Sequence, residues 1–156
     1  MTMEELLTEV LKGMDDLDSE RDSHDRERDL AGWWSPGQIA EKTPNMEVLR
    51  VDATLDMLVE RGRVERSGDA ERGDQVYRAL YRPAWCPECE KDGLMANGDY
   101  LCPRCRAENE ARVCNFSDLS AYLDDRRRVQ KWPTGRIADE LGISTWDVDQ
   151  LRRVAG

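Results

Sequence analysis

Histidine is almost missing from this chain: His24 is the only one in 156 residues. Nucleophiles activated by an imidazole, and catalytic metal sets that mix Cys with His, therefore have nothing to draw on. No G-x-S-x-G turn, no glycine-rich phosphate loop and no recognisable pair of inward-facing carboxylates is present, so no enzyme activity is expected. His24 lies among acids and arginines and reads as a surface residue without a role. No apolar run approaches the roughly 18 residues that span a membrane. Met1 leads into charged residues, not into a secretory apolar stretch, so the expected compartment is cytoplasmic, with no membrane partner. Lysine is scarce as well, 4 against 19 Arg, and Asp outnumbers Glu. Such usage fits either a GC-rich genome or a salt-adapted cell.

The net charge is −10, and it is unevenly spread. Residues 1–30 carry 11 acids and 4 bases, residues 31–82 carry 9 and 8, residues 83–112 carry 6 and 4, and residues 113–156 carry 7 of each. Beyond the first thirty residues the chain is nearly neutral. It is not electrostatically barred from nucleic acid, and it is not basic enough for strong sequence-independent binding, which would be sensitive to salt.

Four of the five cysteines form two pairs, Cys86-Pro-Glu-Cys89 and Cys102-Pro-Arg-Cys105. Two C-x-x-C loops at this separation bring four thiolates around one ion. Structural Zn²⁺ at Cys86, Cys89, Cys102 and Cys105 is the leading reading. Iron in the same cage and a pair of disulfides are the alternatives. Four thiolates leave no open position for water, so a metal here supplies folding energy rather than catalysis. Gly93 and Asn97-Gly98, flanked by Leu94-Met95 and Tyr100-Leu101, predict a hairpin between the pairs. The fragment resembles a zinc ribbon with rubredoxin-type knuckles, in which Pro follows the first Cys of each pair. Cys114 reads as a small buried hydrophobe or an incidental thiol.

Residues 1–30 predict an amphipathic helix followed by an acidic linker. Met3, Leu6, Leu7, Val10, Leu11, Met14 and Leu17 follow three-four spacing behind a Thr2 cap. This face either packs on the domain that follows or pairs two copies of the chain into a homodimer. In residues 31–82, Ser35-Pro36 opens a short helix and Thr43-Pro44-Asn45 breaks the chain. A second helix runs from about Met46 to Arg61 with Val48, Val51, Leu55, Leu58 and Val59 inward, and Gly62 ends it. Strands at Arg63–Arg66 and Gln75–Leu80 follow, joined by a polar loop. This order, carried by Ser35-Pro-Gly-Gln-Ile-Ala40, by Leu55-x-x-Leu58-x-x-x-Gly62-x-Val64-x-Arg66 and by Gln75-Val-Tyr-Arg78, resembles a winged helix-turn-helix domain.

That resemblance implies a second helix lying in the major groove of double-stranded DNA, with Asn45 and Arg50 reaching bases or phosphates and with Arg63, Arg66, Arg72 and Arg78 on the wing. Glu47, Asp52, Asp56, Asp69, Glu71 and Asp74 occupy the same surfaces. These acids sustain a rival reading as a module that binds another protein.

Residues 83–112 make up the ribbon, with Ala107–Arg112 as a charged connector. In residues 113–156 a helix capped by Ser117 or Asp118 precedes Arg136–Leu151. The I-A-x-x-L-G-I-S-x-x-x-V-x-x-L run there looks like a bacterial or archaeal helix-turn-helix. The likeness implies Thr145, Gln150 and Arg153 as DNA-facing residues, alongside Trp146, Asp147 and Asp149. The expected architecture is thus mainly α with small β-hairpins: winged helix, zinc ribbon and a C-terminal helix-turn-helix. The expected function is DNA-binding transcription regulation. The alternative is a factor that binds transcription machinery or a host complex, as a viral inhibitor would. A winged helix followed by a four-cysteine ribbon also resembles archaeal general transcription factors related to the large subunit of transcription factor IIE.

Overall fold

A computed structural model describes residues 2–21, 32–69 and 71–155. His24 and most of the expected acidic linker lie outside the described residues. The chain forms two compact units, one of Met1–Ala84 with Leu94–Gly98, the other of Trp85–Gly93 with Asp99–Gly156. The segment expected as a ribbon, 83–112, is divided between them. Among the described residues no helix is long and apolar enough to cross a membrane.

The first unit begins with α1, Met3–Arg21. Thr2 and Glu5 close a reciprocal cap, Glu5 N donating to Thr2 Oγ1 at 3.2 Å and Thr2 N to Glu5 Oε2 at 2.8 Å. The apolar face predicted for α1 packs within the unit: Leu7, Val10, Leu11, Met14 and Leu17 are buried with Ile39, Val51, Leu55, Leu58 and Tyr77. A seam between two copies would need this same face. Gly13 sits inside the helix because a Cβ there would lie 2.8 Å from Thr43 Oγ1, a close approach that offsets the helix cost of glycine.

Helix α2, Pro36–Glu41, starts at Ser35 with a full capping box to Gln38. Helix α3, Val48–Glu60, buries Val51, Thr54, Leu55 and Leu58. Val48 was expected on that inner face but is exposed, since the first turn of α3 extends past the core. Gly62 follows the helix in the left-handed region, φ +70°. Strands β1, Val64–Ser67, and β2, Val76–Ala79, pair antiparallel with Val64 opposite Ala79 and Ser67 opposite Val76. Trp34 and Tyr77 add an isolated antiparallel bridge alongside.

Strands β3, Tyr81–Cys86, and β4, Lys91–Ala96, form the second two-stranded sheet. Its turn is the first cysteine loop itself, closed by Glu90 N donating to Cys86 O at 2.8 Å. The hairpin predicted between the cysteine pairs does not form: Gly93 lies within β4, and Tyr100-Leu101 is not a strand.

The second unit is helical. Helix α4, Pro103–Val113, includes Ala107–Arg112, which the sequence suggested was a connector. Ala107 and Ala111 are fully buried against Leu119, Tyr122, Leu123, Ile137, Ala138, Leu141 and Val148. Helix α5, Leu119–Asp124, is capped by Asp118 and runs into a π-helical turn over Asp125–Val129. Helices α6, Thr134–Leu141, and α7, Thr145–Ala155, meet at Gly142, φ +71°. Ile143 packs against this core as predicted.

Candidate metal centre and nucleic-acid-facing residues

Cys86 closes β3, Cys89 lies in the turn that follows, Cys102 caps α4 and Cys105 sits in the first turn of that helix. The second pair therefore rides on a helix end rather than on a second hairpin. Pro103 suits this start, because its missing N–H is one the helix would leave unpaired anyway. The four sulfurs all lie within 4.8 Å of one another. A tetrahedron with metal–sulfur bonds of about 2.3 Å has edges of about 3.8 Å, and Cys89 Sγ stands 3.9 Å from Cys102 Sγ. All four thiols are free, so the disulfide alternative does not match. The donor set fits a metal ion, and an ion held by all four would be coordinatively closed.

Electrostatics at the cluster also suit a cation. Burial works against ionising Cys86, but hydrogen bonds from the backbone of Cys102, Cys89 and Glu88 outweigh it and bring the thiol down to about 6. Cys102 N–H alone reaches Cys86 Sγ at 3.4 Å. Burial pushes Cys102 and Cys105 up, and hydrogen bonding with neighbouring sulfurs adds to the rise at both. A divalent cation relieves that crowding by turning each sulfur into a ligand.

Arg106, next to Cys105, was a candidate nucleic-acid contact of the ribbon. Its side chain is committed elsewhere, with Nη1 3.2 Å from Asp99 Oδ1 and the guanidinium lying against Gly142. It links the start of α4 to the α6–α7 turn.

The DNA-facing candidates of the first unit fall into two groups. Asn45, in the left-handed region at φ +70°, and Arg50 are exposed. Arg50 has no acidic partner within ion-pair distance among the described residues. The wing arginines are held by neighbours. Arg63 lies over the Tyr81 ring at 4.2 Å, Arg66 pairs with Asp56 at 3.0 Å, Arg72 with Asp69 at 3.7 Å, and Arg78 with Glu65. Leu49, on the exposed side of α3, is 80% exposed.

In the second unit Thr145 and Arg153 are exposed and Gln150 is half-buried. Asp147, expected on the same outer face, is buried. Its carboxylate accepts from Ser144 Oγ at 2.8 Å, while its N–H donates to Ser144 Oγ at 3.1 Å, so it serves as a helix cap.

Sequence reasoning missed two buried polar junctions. Asp18, read as the start of a solvated stretch, accepts from Gly32 N and Trp34 Nε1, both at 2.8 Å. Glu140 accepts from Tyr122 Oη at 2.7 Å and from Arg126 Nε and Nη2 at 3.0 and 2.9 Å. Arg126 also lies over the rings of Phe116, Tyr122 and Trp132. Cys114 donates weakly to the same Glu140 oxygen at 3.7 Å, so it is neither a plain hydrophobe nor incidental. Comparison with protein-family models, with curated proteins and with solved structures finds no match to this chain.

Proposed function

We propose that the chain is a DNA-binding transcription regulator. In this reading α1–α3 and the β1–β2 hairpin are a winged helix, and α6–α7 are a helix-turn-helix. The four-cysteine centre holds structural zinc, and the chain has no catalytic role. The observation that carries the reading is the α6–α7 pair: two amphipathic helices joined at a left-handed Gly142, with Thr145 and Arg153 exposed on the second. In the first unit, the Trp34–Tyr77 bridge gives the β1–β2 hairpin a third extended partner, and the exposed Asn45 and Arg50 stand on the outer side of α3. Zinc is favoured over iron because the cage is closed and needs no redox change to serve as a joint.

The test is fluorescence anisotropy of a short random duplex across a salt series. We expect saturable binding whose log affinity falls linearly with log salt, and weaker binding after Arg50→Ala or Arg153→Ala. No binding at low salt sinks the proposal.

One observation favours a second reading, in which α3 docks on a protein of the transcription machinery. Leu49 and Val48 are 80% and 50% exposed, while the wing arginines are paired with acids. Here Leu49→Asp would abolish capture of a partner from lysate, whereas Arg50→Ala would leave it intact.

A further inference from the structure

Residues 113–156 carry seven acids and seven bases, yet the two are not spread alike. Most of the acids are engaged within the fold. Asp118 caps α5, Asp147 caps α7, and Asp125 and Glu140 both hold Arg126. Of the bases, Arg127, Arg128, Lys131 and Arg152 gather instead around one open pocket of about 400 Å³, together with Trp132 and Thr134. No acidic side chain lines it.

The backbone brings these groups together by two unusual features in a row. The π-helical turn Asp125–Val129 rotates Arg127 and Arg128 away from the direction a continued α-helix would give them. Lys131 then adopts φ +56°, a conformation that costs a non-glycine residue on the order of 1 kcal/mol. Hydrogen bonds from Gln130 N to Asp125 O at 2.9 Å and from Trp132 N to Arg126 O at 2.8 Å hold the turn in place. Arg152 approaches from α7, its Nη1 3.4 Å from Thr134 Oγ1.

Two cations are partly compensated. Arg128 pairs with Asp124 at 3.1 Å and Arg152 with Asp149 at 3.3 Å. The first pair is widely solvated and so weak. Arg127 and Lys131 have no ion-pair partner among the described residues.

We propose that this pocket binds a phosphate group. Four converging cations exceed what a single carboxylate would neutralise, and guanidinium groups match phosphate oxygens two at a time. The pocket recognises charge and not a base: the Trp132 ring already carries the guanidiniums of Arg126 at 4.6 Å and Arg136 at 4.0 Å, leaving no face for stacking. A phosphodiester of duplex DNA is the source we assign, and that assignment alone rests on the regulator reading above.

The full, metal-loaded chain is used for both arms of the test. In the first, inorganic pyrophosphate is titrated while amide resonances of Thr134 and Gly135 are followed in the wild type and in an Arg127→Gln, Lys131→Gln double variant. Saturable shifts in the wild type that vanish in the variant are expected. Both replaced side chains are exposed, and unchanged resonances of the buried α4–α6 core confirm that the variant folds. In the second arm, duplex affinity is measured against salt. The variant should bind roughly 10-fold more weakly at low salt, with a slope reduced by about 1.8 for two lost phosphate contacts. Pyrophosphate shifts with no duplex binding by the wild type keep the site, make a free phosphate its source, and overturn the regulator reading. Duplex binding that the variant leaves unchanged, with no pyrophosphate shifts, overturns the site and keeps the reading.

Discussion

Glu140 shows how single side chains stabilise the second unit. Burial alone would raise its carboxyl, but hydrogen bonds from Tyr122 and Arg126, with the Arg126 charge, hold it below its ordinary 4.5. The same contacts act in reverse on Tyr122, whose hydroxyl is pushed up by burial and by its bond to the carboxylate. Arg126 is largely buried among three aromatic rings, so removing the acid would leave its charge short of a partner. Glu140→Gln should therefore lower stability by about 1–3 kcal/mol at neutral pH, read as an earlier thermal transition of this unit. The sign with pH follows from the depressed carboxyl. Its contribution is present above about 4.5 and is lost as pH falls through the lower, folded value. The gap between wild type and Glu140→Gln should close as acid is added. A gap that stays constant from neutral pH to acid would show that the carboxylate charge contributes nothing.

At the scale of elements, the turns between helices matter most, and Gly142 is the clearest case. It combines a φ of +71° with close packing, since a Cβ would come within 3.2 Å of Arg106 Nη2. Gly73 shares the backbone angle, φ +68°, but nothing lies near where its Cβ would be. Gly142→Ala should cost about 1–2 kcal/mol in denaturant unfolding, and Gly73→Ala less, because only the backbone cost applies there. Equal costs would show that Arg106 yields freely. Gly142 was legible in the sequence, as were the Ser35-Pro36 start, the Gly62 stop and the four cysteines, because each depends on local chemistry. Helix α4 was not legible. Its inward face is made of Ala107 and Ala111, small residues that pack closely but leave no large-apolar periodicity to read. The β3–β4 pairing escaped for another reason. Its turn is a cysteine loop with Glu90 in the left-handed region, φ +57°, a place where turn statistics would look for glycine or asparagine. Asn97-Gly98 has strong turn chemistry, yet Asn97 is used to bond back to Ala79 O and Leu80 O.

Taken whole, the molecule departs from a string of three beads. The cysteines do not define a small module with a core of its own, because the helix that starts at Cys102 is buried against α5, α6 and α7. A metal ion would then act on the second unit as a clamp on the first turn of α4, and through Ala107 and Ala111 on the core behind it. The first unit's core, from Leu7 to Ala79, contains none of the four sulfurs. Ligand binding to the folded state alone stabilises it in proportion to the logarithm of free ligand over dissociation constant, and four-thiolate zinc sites bind tightly. Metal analysis of the purified chain should return one tightly held ion. Chelation, or Cys105→Ser, should then lower the transition of the second unit by several kcal/mol and leave that of the first in place. Calorimetry identifies the two transitions, and amide resonances of Leu55 and Leu141 assign them, since each residue is fully buried in one core. A chelator that shifts Leu55 and Leu141 together would show that the two cores unfold as one. A chelator that shifts neither would show that the four sulfurs hold nothing the fold depends on.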